Sequence, residues 1–428
     1  MSRTDISVDH VARIEGHGNV RVLIEDGRVM DVKMQVVEPA RFFESMVKGR
    51  SYKETSYIAS RICGICSPSH VITDLKAVEQ AFGIEVSQRT KMVRELLVYG
   101  SYLQNHAAHL FVLAAPDFIG ESSIFPLAKQ DPELFAQALE LKSLGNELCT
   151  AVGGRSIHPI TAVVGGFTSE IDAASYLEFA DRMESMVPFA QAVVELFSSF
   201  RVCEIKTQGD MLAMVEPDYY PVQSSDTLRF FGSSSEDFHC SELFDHIEEY
   251  QVNHSGAFFS RRSSNGKTYM TGALARVNAS WEQLGKTAKY AAAKAGLRPP
   301  EFNPMLNNVA QAVELVDALE RCARVCRELA EDQGSSEPAP VVPVAGVGVG
   351  VTEAPRGIVV HKLAFDEDGR VTGAAIATPT SQNLANMEDD IRQLAGMLAE
   401  SGMDEQIVKM EVEKLIRAYD PCLSCSVQ

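Results

Sequence analysis

Cys63-Gly64-Ile65-Cys66 and Cys422-Leu423-Ser424-Cys425 lie at opposite ends of the chain, so a fold that uses both pairs must carry its last residues back to an early segment. Four thiolates in two Cys-x-x-Cys pairs can hold one soft transition metal. A structural zinc site is the plainer reading. Zinc ribbons and fingers, however, close their second pair within a short loop, whereas most of the protein separates Cys66 from Cys422. A redox Cys-x-x-Cys needs a thioredoxin-like strand-to-helix context and would account for one pair only.

The 58 acidic residues outnumber the 39 Lys plus Arg, for a formal net charge of −19. That balance repels polyanions and argues against a nucleic-acid role. The N-terminus, from Met1 to His10, has no apolar signal-type core, and no apolar run is long enough to cross a bilayer. The expectation is a soluble, cytoplasmic protein, unless a partner carries an export signal. Nine cysteines without a secretory signal suit a reducing compartment and metal ligation better than a disulfide framework. Cys149, Cys203, Cys240, Cys322 and Cys326 read as small buried hydrophobes, even though Cys322 and Cys326 share a helix face. They offer no ligand set for an iron-sulfur cluster, so electrons from a redox site would have to leave through another protein.

Residues 19–37 read as a hairpin: Val20, Val22 and Ile24 alternate, Asp26-Gly27 supplies the turn, and Val29, Val32, Met34 and Val36 follow. The same pattern recurs at 358–377 around Asp366-Glu367-Asp368-Gly369. Together they suggest a small sheet layer near the metal. Between them, apolar residues at helical intervals predict helices over 86–115, 131–151, 169–200, 280–295 and 304–331, and beyond them over 381–401 and 404–418. Segments 222–238 and 332–345 read as loops. Gly346-Val347-Gly348-Val349-Gly350 lacks the spacing and the Lys of a phosphate loop, and its glycines instead allow close backbone approach to something bulky. The expected architecture is α+β, predominantly α, with a long-helix bundle core and small antiparallel sheet elements. It forms a single domain over 1–428, with an N-terminal hairpin region (1–48), a helical body (49–335) and a C-terminal hairpin and helices (336–428) closing the metal site.

Six ordered motifs resemble the large subunit of nickel-iron hydrogenases across nearly the whole chain. They are Arg13-Ile14-Glu15-Gly16-His17; Arg61-Ile62-Cys63-Gly64-Ile65-Cys66 followed by His70; Gly154-Arg155-Ser156-Ile157-His158-Pro159; Glu353-Ala354-Pro355-Arg356-Gly357; Thr378-Pro379-Thr380; and Asp420-Pro421-Cys422-Leu423-Ser424-Cys425. The segment Arg41-Phe42-Phe43-Glu44 and the Ser426-Val427 ending look most like the cytosolic, cofactor-coupled group, which includes sulfhydrogenases and the hydrogenase partner of heterodisulfide reductase.

The resemblance implies a nickel held by Cys63, Cys66, Cys422 and Cys425, with Cys66 and Cys425 bridging to an iron that carries carbon monoxide and cyanide. It implies Cys422 as first proton acceptor and Glu15 as the next, against the ordinary reading of Glu15 as a surface carboxylate. Arg356 would lie over the metals and bond a cyanide, held by Asp420 and, on a weaker match, Asp117. Thr380, after Pro379, would donate to the second cyanide, or cap the helix that follows, or both. His70 would donate to a bridging sulfur. Glu44 matches a carboxylate ligand of a magnesium-type ion. Gln428 stands where the family has a His completing that site, and its amide oxygen or a terminal carboxylate could still ligate magnesium. The family's cleaved C-terminal extension is absent, which fits either a processed chain or one encoded without a tail.

The implied function is reversible heterolytic cleavage of dihydrogen. Electrons would pass to an iron-sulfur small subunit, then through diaphorase- or heterodisulfide-reductase-type subunits to NAD(P), ferredoxin, a deazaflavin or a disulfide. The alternative is a regulatory hydrogen sensor using the same site. A relative of the quinone-site subunit of respiratory complex I shares the fold without the cysteines, and retention of all four argues against it.

Overall fold

Alternating Val and Ile make the N-terminal segment a three-stranded antiparallel sheet: β1 (Arg3–Val8), β2 (Gly18–Glu25) and β3 (Arg28–Val36), in the order β1-β2-β3. The computed structural model describes residues 3–428, so the expectation for Met1 and Ser2 lies outside the described residues. The central pairs Val20–Met34 and Val22–Val32 are buried, and Asp26 and Gly27 both adopt positive φ, 47° and 77°, as a two-residue hairpin turn requires.

Helix α1 (Ser67–Phe82) begins immediately after Cys66 with Pro68 in its first turn, and it is buried on nearly every side, as befits a helix without a solvent face. Helix α2 (Gln88–Ala107) continues through a π-type turn at Ala108–Ala114 into a short segment, Ala115–Ile119. Helices α3 (Pro132–Gly153) and α4 (Ala173–Ser199) follow, the latter with Pro188 inside it.

The expected loop at 222–238 carries two strands joined by a turn. Strand β4 (Asp210–Met214) pairs with β5 (Thr227–Phe231), which pairs with β6 (Glu236–His239). The alternation that identifies these strands, with Leu228, Phe230 and Phe238 buried, is hidden in sequence by the polar turn between them. Asp210 closes that turn by accepting from the Ser233 N–H and hydroxyl. Strands β7 (Ile247–Gln251) and β8 (Phe258–Arg262) form a separate ribbon, and β9 (Tyr269–Met270) joins the β4 sheet in parallel. The expected helix at 280–295 is divided: α5 (Ala273–Ala279) ends before it and a shorter helix covers Lys286–Lys294. Helix α6 (Asn307–Glu331) packs most extensively on α4.

After an irregular stretch at 332–345, β10 (Gly346–Ala354), β11 (Gly357–Phe365) and β12 (Val371–Ala377) form a second three-stranded sheet. The two hairpins therefore belong to separate sheets, not to one layer. The bulky neighbour of the glycine run is α1 itself: a Cβ at Gly348 would stand 2.0 Å from the Ala77 carbonyl oxygen, and one at Gly350 would stand 1.9 Å from that of Thr73. Strand backbone thus lies directly on helix backbone, which fixes the height of Cys66 over the sheet.

Helices α7 (Pro379–Glu400) and α8 (Glu405–Ala418) complete the fold, and the principal apolar cluster runs without a break from Ile6 to Val427. The end of α8 is tied to α7 by Tyr419, whose hydroxyl donates to Asp390 at 2.6 Å while Asn386 donates to it at 2.7 Å. Burial pushes the Asp390 carboxyl up to about 7. A raised carboxyl is one whose proton the folded state binds more tightly, so its stabilising contribution is greatest at acid pH and declines as pH rises toward about 7. Asp390→Asn is expected to remove that decline. Denaturant melts at pH 4.5, 6 and 8 should show the wild type losing, relative to the variant, on the order of a few kcal/mol; parallel pH profiles would contradict it.

Candidate metal centre

The two cysteine pairs meet because the C-terminus docks on the N-terminal segment. Glu15 and Cys422 form a parallel bridge, and the Leu423 N–H donates to the Glu15 carbonyl at 3.0 Å. Cys63 follows a single helical turn, Ser60–Ile62, and Cys66 heads α1. On the opposite side the Cys422 N–H donates to Thr380 Oγ1 at 2.9 Å, and the Thr378 hydroxyl donates to the Cys425 carbonyl at 3.0 Å. Cys63 Sγ lies 3.4 Å from Cys422 Sγ, and Cys66 Sγ lies 3.8 Å from Cys425 Sγ. Sulfurs sharing a metal at about 2.3 Å in tetrahedral geometry stand roughly 3.8 Å apart. Cys422 Sγ and Cys425 Sγ are in direct contact, and all four cysteines belong to the same buried cluster. The Cys66 thiol is pushed well up by its bond with Cys63 and by burial, while that same bond, helped by Arg356, lowers Cys63.

Arg356 occupies the tip between β10 and β11, 3% exposed. Its Nε donates to Asp420 Oδ1 at 3.0 Å, and its Nη1 is buried with no partner. Burial opposes the charge, but Asp420 and the Cys63 and Cys66 sulfurs keep the guanidinium protonated. Asn105 and Gln311 donate to the other Asp420 oxygen at 2.8 and 3.0 Å. The expectation that Asp117 also holds Arg356 is not met: after the π-type turn of the second helix, Asp117 faces Arg417 and Arg13. It braces the segment that carries Glu15 instead.

Both carboxylate oxygens of Glu15 meet Ser424, one accepting from its hydroxyl and the other from its N–H at 3.2 Å. The Ser424 hydroxyl in turn lies 3.9 Å from Cys422 Sγ. Thr380 is not the helix cap that its position suggests. Thr378 occupies that position, Pro379 and Thr380 lie in the first turn, and neither threonine hydroxyl caps the helix because both are used on the C-terminal segment.

His70 Nδ1 is 3.1 Å from His361 Nε2, His361 Nδ1 is 3.4 Å from Asp74 Oδ2, and the Thr55 hydroxyl donates to Asp74 Oδ1. His70 Nε2 is buried without a partner, so no hydrogen bond joins it to a cysteine sulfur in this structure. Burial and His361 push His70 well down, which leaves it neutral. Glu44 and Gln428 converge on Ile376: Glu44 Oε1 accepts from its N–H and Gln428 Nε2 donates to its carbonyl, each at 2.8 Å. Across from them Glu249 carries a buried, unpartnered oxygen, and burial together with the Glu44 charge pushes its carboxyl to about 7.

The family model described as nickel-dependent hydrogenase matches residues 41–137 and 249–428, and a HoxL-like model matches residues 5–38. The alpha subunit of sulfhydrogenase 1 from Pyrococcus furiosus is 36% identical, over 99% of this chain and 97% of that protein. The chain belongs to the nickel-dependent hydrogenase family. One subunit of the F420-non-reducing hydrogenase vhu of Methanocaldococcus jannaschii is 31% identical over 92% of this chain and 99% of its own. A NAD+-reducing NiFe-hydrogenase in the H2-reduced state superposes with a TM-score of 0.87 at 26% identity, covering both chains completely.

This hydrogenase large subunit is thus an oxidoreductase acting on dihydrogen. Its residues fit a nickel-iron centre: four soft sulfur donors share one buried cluster, the Arg356 guanidinium interacts with the Cys63 and Cys66 charges and keeps a buried N–H without a partner, and His70, one helical turn after Cys66, has a buried ring nitrogen without a partner. No helix among the described residues is long and apolar enough to cross a membrane. Sequence reasoning missed Ser424, Asn105, Gln311, Asp74 and His361. Ser424 was legible as a hydroxyl inside the second Cys-x-x-Cys, and Asp74 as a carboxylate one helical turn from His70. Nothing local marks the other three.

Proposed function

We propose that this hydrogenase subunit cleaves dihydrogen heterolytically, with protons leaving by way of Cys422 and Glu15 and electrons leaving through an iron-sulfur small subunit. The observation that carries the reading is the convergence of four cysteine sulfurs from both ends of the chain in one buried cluster. When bound, a nickel-iron centre with carbon monoxide and cyanide on iron supplies an open coordination position at which dihydrogen becomes acidic. Cys63 and Cys422 would be terminal nickel ligands, and Cys66 and Cys425 would be shared with iron. Arg356 offers Nη1 to a cyanide, while Asp420 fixes its plane. Thr380, already accepting from the Cys422 N–H, has its hydroxyl proton to give to the second cyanide.

The proton leaves from Cys422 Sγ, and the Ser424 hydroxyl stands between that sulfur and the Glu15 carboxylate. Glu15→Gln keeps the shape of the side chain but cannot accept a proton. It is expected to lower turnover about 10²- to 10⁴-fold with nickel content unchanged. Steady-state hydrogen oxidation per nickel measures this, and wild-type turnover would remove Glu15 from the route.

Glu44, the Ile376 carbonyl and Gln428 form an oxygen-bearing corner suited to a magnesium-type ion, with Glu249 able to bond its waters. Phe42, Tyr57 and Ile157 are exposed by 64%, 46% and 45% on segments bonded around the Cys63 loop, where His158 donates to the Ser60 carbonyl and Arg41 to those of Arg61 and Ile62. This apolar surface beside the metal centre suits the small subunit. The relatives named for sulfhydrogenase and F420-non-reducing activity favour a soluble acceptor beyond it.

The deciding experiment is elemental analysis with infrared spectroscopy of the purified protein. Nickel and iron with carbonyl and cyanide bands are expected; zinc without those bands would overturn the reading.

A further inference from the structure

Arg276, on α5, is among the largest fully buried side chains of the protein, and every one of its five N–H donors is used. Nε and Nη2 grip Glu314 of α6 at 2.6 and 2.8 Å. Nη1 donates to Glu353 Oε2 at 3.0 Å and to the Ala354 carbonyl at 2.9 Å, and Nη2 donates to the Pro355 carbonyl at 2.9 Å. One guanidinium therefore holds the three consecutive residues that precede Arg356.

The other side of the same turn is held by the segment leading into α5. Gly357 has φ 129°, and a Cβ there would come within 2.6 Å of the Thr271 side chain. The Ile358 N–H donates to Thr271 Oγ1 at 3.1 Å. Tyr102 adds a bond from its hydroxyl to the Glu353 carbonyl at 3.1 Å, with its ring 5.0 Å from the Arg276 guanidinium carbon. Helix α6 reaches the Arg356–Asp420 pair directly at Asp420, through Gln311, and one turn later holds Arg276 through Glu314. The nearby Glu314 carboxylate is held down to about 2: burial opposes its charge, but Arg276 outweighs it.

We propose that Arg276 is a positioning residue of the hydrogenase reaction: by fixing the Ala354 and Pro355 carbonyls it aims the Arg356 guanidinium at Asp420 and at the ligands above the thiolates. The inference rests on the function proposed above. A lysine carries the same charge but has three donors on one nitrogen, so it cannot bind Glu314 bidentately and reach both carbonyls as well.

Arg276→Lys in the purified complex with its small subunit is expected to reduce kcat about 10- to 100-fold with little change in KM for dihydrogen, and to shift the cyanide stretching bands. Nickel per protein should stay near the wild-type value. A purely structural role would lower the melting temperature and leave both the cyanide bands and kcat per nickel as they are, and that result overturns the proposal. If Arg276→Lys yields no folded protein, Glu353→Gln loosens the same grip while leaving the Arg276–Glu314 pair intact; unchanged bands and unchanged kcat in that variant likewise overturn it. Wild-type protein without cyanide bands would instead refute the underlying function, so the two failures are distinguishable.

Discussion

Cys66→Ser is expected to give a folded protein that retains little nickel and oxidises dihydrogen at least about 10³-fold more slowly, a loss of about 4 kcal/mol of transition-state stabilisation. Serine fits the space, but its hydroxyl is a hard donor that does not ionise near neutral pH, and the Cys66 position would be shared between two metals. The 2% exposure of Cys66 and its place at the head of α1, pressed on the backbone of β10, leave no route for a replacement ligand to move in. Nickel and iron per protein, hydrogen uptake and far-UV circular dichroism together check this. Wild-type nickel content in the variant would show that Cys66 is not a ligand.

Arg356→Lys is expected to lower kcat about 10²- to 10³-fold while leaving the metal content largely intact. The wild-type guanidinium donates Nε to Asp420, keeps a second buried N–H on Nη1 without a partner, and lies close enough to Cys63 and Cys66 for their charges to act on it. An ammonium can pair with Asp420 but cannot also present a fixed N–H on the far side. Asp420 would keep its bonds from Asn105 and Gln311, so the pocket should not collapse. Infrared spectra of the purified variant should show displaced cyanide bands, and unchanged bands with unchanged kcat would remove Arg356 from the site.

The elements that could be read from sequence are those whose signal is local. The N-terminal hairpin was readable because Asp26-Gly27 states its turn and Val20, Val22 and Ile24 state its buried face. The β5–β6 hairpin was not, since a short alternation of Leu228, Phe230 and Phe238 is submerged in the serine-rich turn that joins the strands. At the site, Glu15 accepts from Ser424 and Arg356 donates to Asp420. Asp117 does not pair with Arg356, because the π-type turn at Ala108–Ala114 offsets everything after it and no residue announces such a turn. The cap alternative for Thr380 fails for a related reason: cap geometry depends on where the backbone enters the helix, and here Thr378 holds that position with its hydroxyl on the C-terminal segment.

By itself the sequence determined the family and pointed to four paired cysteines as candidate donors, because the motifs around them match that one family. Only the tertiary structure decided how the donors are aimed. The bonds that orient them join residues far apart in the chain, such as Arg276 with Pro355, Gln311 with Asp420 and Glu15 with Ser424, and spacing along a sequence carries no information about which distant polar groups will be buried together.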